Sequence, residues 1–97
     1  MSYNGYPNYE TWVAKLWIDN DEGSQSYWFE RATELGLYDL ADALKDEIKE
    51  QAQELLPDAS LYTDLLISAI DEIDFQHIAE SLKTDLLEIT EYEESNY

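Results

Sequence analysis

Glycine and proline punctuate this chain only at its start and its junctions: Gly5, Pro7, Gly23, Gly36 and Pro57. Between them apolar residues recur every three or four positions, the spacing that gives an α-helix one buried face. No segment alternates apolar and polar residues between hairpin turns, so strands are not expected. At 97 residues the chain has room for one modest core. The pattern predicts an all-α fold, a compact single-domain bundle of about five helices spanning residues 1–97.

Residues 1–7 read as an irregular arm pinned by Tyr3 and Tyr6. Asn8 is the expected N-cap of helix one, over 9–19, with Glu10 in its first turn and Tyr9, Trp12, Val13, Leu16 and Trp17 as its apolar face. Ser24 or Ser26 is expected to cap helix two, which buries Tyr27, Trp28, Ala32 and Leu35 before Gly36 stops it. Helix three, over 39–56, places Leu40, Leu44, Ile48, Ala52 and Leu55 on its inner stripe, and Pro57 forbids continuation. Asp58 is expected to cap helix four (Leu61, Tyr62, Leu65, Leu66, Ala69, Ile70, Ile73). Asp74 is expected to cap helix five (Phe75, Ile78, Ala79, Leu82, Leu86, Ile89). The acidic tail, 91–97, is expected to fray.

Charge sets the second constraint. Twenty-three carboxylates face five lysines and arginines, a formal net charge of −18. Acidic chains that stay disordered are poor in aromatics, whereas 13% of these residues are aromatic, so folding is expected despite self-repulsion. Such a surface repels nucleic acid and anionic membranes, which need lysine and arginine to neutralise their phosphates. A basic protein surface is the complementary partner. Without cysteine there are no disulfides and no thiolate metal sites. The first residues lack the basic and apolar regions of a signal peptide, and no apolar run nears the roughly 20 residues of a membrane span, so a soluble cytoplasmic protein is expected.

Asn8-Tyr9-Glu10-Thr11-Trp12, the run Leu16-Trp17-Ile18-Asp19-Asn20-Asp21-Glu22-Gly23, and Tyr27-Trp28 with Glu30-Arg31-Ala32 resemble the signature of a small acidic family. Those proteins, with an "NYETW…LW(I/L)DN(D/E)" pattern, are carried by phages, plasmids and some bacterial genomes. Ile73-Asp74-Phe75-Gln76-His77-Ile78-Ala79-Glu80 is similar to the family's C-terminal block. The resemblance covers most of residues 4–90. It implies a mobile-element context and carries over no activity or functional residue.

Helix three holds the sharpest charge pattern. At 100° per residue Asp39, Asp42, Asp46, Glu50 and Glu54 fall opposite the leucine stripe, in a row about 22 Å long with a carboxylate roughly every 6 Å. Lys45 and Lys49 only flank it. Solvated helix faces ordinarily mix both signs. A row of one sign resembles a nucleic-acid strand, which carries one charge per about 3.4 Å. Glu80, Glu88 and Glu91 repeat the theme weakly on helix five, leading into Glu93 and Glu94.

Other chemistries find less support. Asp19, Asp21 and Glu30 sit at positions 1, 3 and 12 of a would-be EF-hand, but the glycine is one place early and Tyr27-Trp28-Phe29 is expected to be helical. An inter-helix turn accounts for the same residues. The single histidine, His77, is expected on the outer face of the first turn of helix five. There is no nucleophile elbow and no phosphate loop. Tyr9, Trp12, Trp17 and Trp28 are expected in the core; if Tyr3, Tyr6, Tyr38 or Trp17 is exposed, it becomes a candidate interface anchor.

The chain is therefore expected to be an acidic protein-binding inhibitor. It would mimic the phosphate charge of DNA and block a nucleic-acid-binding host-defence complex, of the anti-CRISPR or antirestriction type. Asp39, Asp42, Asp46, Glu50, Glu54, Asp19, Asp21, Glu22, Glu80 and Glu88 would meet the partner. The alternative is a small regulatory or assembly adaptor with an aromatic surface, its acidity serving solubility. No enzyme activity, cofactor, metal, direct nucleic-acid binding or membrane binding is expected, and nothing calls for an oligomer.

Overall fold

The computed structural model describes residues 3–95, with side chains through Ile89; Met1, Ser2, Asn96, Tyr97 and the side chains of Glu91, Glu93 and Glu94 lie outside the described residues. Five helices follow one another: α1 (Tyr9–Asn20), α2 (Glu22–Glu34), α3 (Leu37–Leu55), α4 (Leu61–Asp71) and α5 (Phe75–Ser95). The molecule is an all-α single-domain bundle. α5 carries the helix through residues 91–95, the part of the tail expected to fray.

Capping side chains set most of the boundaries. Asn8 Oδ1 accepts the Thr11 N–H at 2.9 Å and Asp74 Oδ1 accepts the His77 N–H at 3.0 Å, as the sequence pattern anticipates. Two other caps differ from expectation. Asp21, not Ser24 or Ser26, caps α2 by accepting the Ser24 N–H at 3.1 Å, so the junction after α1 is a single residue. Ser60, not Asp58, caps α4 through the Thr63 N–H at 3.1 Å. A carboxylate and a hydroxyl serve equally at such a position, and the register of the turn decides between them.

The arm is more regular than expected. Tyr3 and Tyr6 exchange backbone hydrogen bonds of 2.6 and 2.8 Å around Asn4 and Gly5, whose φ angles of 49° and 88° are those of a two-residue primed turn. The turn lays the Tyr3 ring against Trp12, centroids 4.8 Å apart, and against Tyr9 at 5.2 Å.

α3 and α5 make the most extensive contact in the bundle. Leu40, Leu44, Ile78, Ala79 and Leu82 are fully buried there, and Trp28, Ala32, Ile18, Ile70 and Phe75 close around them. Several expected core residues are instead outside. Leu55 is 77% exposed at the end of α3, and Leu61, Tyr62 and Leu65 project from α4 into solvent. Ala69, Tyr27 and Ile89 are exposed too.

α1 shows the largest rotation from expectation. It buries Thr11, Lys15 and Ile18, while Tyr9, Leu16 and Trp17 face out and Trp12 is half-buried. The reason is polar. Thr11 Oγ1 donates to Asn8 Oδ1 at 2.5 Å and accepts the Asp74 N–H at 2.9 Å, and Asn8 Nδ2 donates to the Glu72 carbonyl at 2.6 Å. These bonds latch the start of α1 onto the α4–α5 turn and fix which side faces inward.

Candidate functional site

Asp39, Asp42, Asp46, Glu50 and Glu54 are all exposed on α3. Spacings of three and four residues hold them on the side away from Leu40 and Leu44, over about 22 Å of helix. Among the described residues none of the five has a salt bridge or side-chain hydrogen bond.

The cations are engaged elsewhere. Lys15 is only 2% exposed; its Nζ lies 2.7 Å from Asp19 Oδ2 and 2.9 Å from Asp85 Oδ2. Burial pulls the Lys15 pKa down, but hydrogen bonds and attraction from the two aspartates outweigh it and hold it above the ordinary lysine value. Arg31 pairs with Glu47 at 3.3 Å, and Lys49 with Asp71 at 3.3 Å. Lys83 donates to the Ala32 carbonyl at 2.7 Å and to that of Leu35, neutralising the negative end of α2. Only Lys45, exposed on α3, has no such partner among the described residues.

The remaining candidate carboxylates do not join this row. Asp19 holds Lys15, and Asp21 caps α2. Glu22 is exposed in the first turn of α2. Glu80 and Glu88 are exposed on α5, which packs on the apolar side of α3 and so presents its own outer face elsewhere. Asp19 and Asp21 are not part of a calcium loop, because α2 begins one residue after Asp21. Among the described residues no group of three or more acids, histidines or cysteines is placed to hold a metal.

Two grooves flank the row. One, of about 380 Å³, runs between α3 and α4, with Asp46, Lys49 and Glu50 on its rim above Leu56, Leu66, Ile67 and Ile70. The other, of about 540 Å³, lies among α1, α2 and α3 and is bounded by Trp17, Tyr27, Trp28 and Ile48. Trp17 is 72% exposed at its edge. The Tyr27 hydroxyl donates to Glu47, and that carboxylate holds the Tyr27 pKa above the ordinary tyrosine value. His77 is half-buried in the first turn of α5, its ring 5.2 Å from that of Tyr6.

Lys15, Asp85 and the Tyr27–Glu47–Arg31 network are absent from any reading of the sequence by apolar spacing. The i,i+4 spacing of Lys15 and Asp19 is a faint signal; Asp85, 70 residues away, gives none.

Among the described residues no helix is long and apolar enough to cross a membrane. No curated protein and no solved structure matches the chain. A family model matches residues 1–93, and the chain belongs to that family, described as a family of unknown function (DUF7249).

Proposed function

We propose that this protein binds a basic, nucleic-acid-binding protein through the outer face of α3, the carboxylate row standing in for a phosphate backbone. The observation that carries this reading is the row itself: five exposed carboxylates that, among the described residues, have no salt bridge to a cation, while four of the five lysines and arginines are taken up by internal partners. Counterions condensed on such a row would be released on meeting a basic groove, and long-range attraction would steer the encounter. The inhibitor reading, against a restriction or CRISPR complex, follows from the acidity and from the mobile-element context of the proteins this sequence resembles.

A second reading is favoured by the exposure of Trp17 and Tyr38, at 72% and 71%. Here an aromatic surface anchors an adaptor and the charge only solubilises it.

The two readings separate on salt and on face. The tagged protein is used to capture partners from a bacterial lysate at 0.05 and 0.5 M NaCl, and a captured partner is then challenged with duplex DNA. Phosphate mimicry expects capture at low salt, displacement by DNA, and loss of binding in Asp39→Lys/Asp42→Lys/Glu54→Lys. If the triple variant retains the partner while Trp17→Ala releases it, the adaptor reading replaces the mimic.

A further inference from the structure

The groove between α3 and α4 combines two chemistries that the exposed row alone does not. Its floor is apolar: Leu56 and Leu66 are half-buried, Ile70 is buried and Ile67 is 45% exposed. Its rim carries Asp46 and Glu50, two members of the row, together with Lys49, whose charge is met by Asp71 at 3.3 Å. On α4, Leu66, Ile67 and Ile70 line the groove, Asp64, Ser68 and Asp71 make the far side polar, and Leu61 and Leu65 are exposed away from the groove.

We propose that this groove receives a basic amphipathic helix of a partner protein, its large apolar side chains seated on Leu56, Leu66 and Ile67 and its lysines or arginines against Asp46 and Glu50. The inference rests on the reading that the chain binds a basic protein and names the element that anchors it. Length fits: α4 spans about 16 Å, three turns of a docked helix presenting i, i+3 or i+4, and i+7 anchors. Charge selects the occupant. A second copy would bring another −18 and meet Asp64 and Asp71 on α4 with acids of its own. An acidic rim above an apolar floor complements a helix that is apolar on one face and basic on its flanks.

The test uses two blocked 18-residue peptides of identical leucine and lysine composition. One places its leucines at spacings of three and four; the isomer scatters them around the helix. Equal charge makes long-range attraction the same for both. By calorimetry at 0.15 M salt the patterned peptide is expected to bind the full chain at least tenfold more tightly than the isomer. It should shift the methyl resonances of Leu66, Ile67 and Ile70. Ile67→Ser and Gln53→Lys alter exposed groove positions without opening the core, and each should cut that preference at least fivefold; Ile67→Ser should leave isomer binding unchanged, whereas Gln53→Lys, which adds one positive charge, should weaken the isomer slightly. Equal affinity for the two peptides, shifts confined to other helices, or variants that keep the full preference overturn the proposal. So does a salt-independent dimer in sedimentation that Ile67→Ser dissociates, since the occupant is then a second copy. The row variant Asp39→Lys/Asp42→Lys/Glu54→Lys avoids the groove, so loss of partner binding there with no peptide preference sinks only the groove, and the converse sinks only the row.

Discussion

Lys15 is a residue on which the interior depends and which apolar spacing does not announce. Its ammonium is buried against two aspartates that are each about a third exposed. Lys15→Met would leave Asp19 and Asp85 facing each other without a counter-charge. Removing one partner of a buried pair typically costs about 3–5 kcal/mol, and the partial exposure of the aspartates places this case near 3 kcal/mol. Denaturant titration checks it, and adding Asp85→Asn should recover part of the loss; no recovery would mean the packing of the lysine stem, not its charge, is what matters. The same residue sets the alkaline limit. The folded Lys15 pKa is raised, so its stabilisation is complete below the unfolded value of about 10.4 and is lost as pH rises through the folded one. Tyr27, also raised, acts with the same sign above about pH 10. Melting temperature should fall above pH 10, and less steeply in Lys15→Met/Tyr27→Phe. The tryptophans divide by burial rather than by motif. Trp28, 6% exposed, should cost about 3–5 kcal/mol on truncation to alanine, whereas Trp17, 72% exposed, should stay within about 0.5 kcal/mol. Equal losses in chemical denaturation would contradict that division. Apolar spacing alone groups both rings in one core, because it cannot see that Thr11 and Lys15 find polar partners from α5 and its preceding turn.

At the scale of helices, the sequence was most readable where one interaction dominates. α3 has strict apolar spacing and one-sided charge, so its orientation and its exposed row follow directly from the residues. Its final turn did not, because Leu55 stays in solvent and joins no part of the core. The start of α1 was readable from Asn8, a good cap, but the rotation of α1 was not. Rotation is set by the latch between Thr11 and the Asp74 N–H, a contact 63 positions apart. Thr11→Val keeps the shape and removes the hydroxyl, leaving the Asp74 N–H without its acceptor and Asn8 Oδ1 with only the Thr11 N–H. About 1–3 kcal/mol should be lost, and the aromatic near-ultraviolet signal of the Tyr3–Tyr9–Trp12 cluster should change as α1 loosens. An unchanged spectrum would place the latch among the redundant contacts. Of the candidate site, five residues were legible as one face; Asp19 and Asp21 were not separable from them, since an acid that caps or pairs looks in sequence like one that is free.

The whole molecule carries its charge over a body of 55 × 30 × 23 Å, so most carboxylates lie within a Debye length or two of many others. Its few ion pairs oppose this. The best of them, at Lys15, is buried and only weakly screened, while the Arg31 and Lys49 pairs are long and partly exposed and contribute little. Salt therefore removes more repulsion than attraction. As ionic strength rises from 0.1 to 1 M the Debye length contracts from about 10 to 3 Å, which isolates neighbouring carboxylates spaced about 6 Å apart on α3. Melting temperature should rise by several degrees between 0.05 and 0.5 M NaCl, corresponding to about 1 kcal/mol for a domain of this size. The triple reversal Asp39→Lys/Asp42→Lys/Glu54→Lys changes the net charge by six, from −18 to −12, and should flatten that dependence while keeping the helical spectrum. A fall in melting temperature with salt would show that the internal pairs outweigh the repulsion. The row would then no longer be a charge that the fold tolerates at a cost, and the argument that it exists to meet a basic partner would lose its thermodynamic footing.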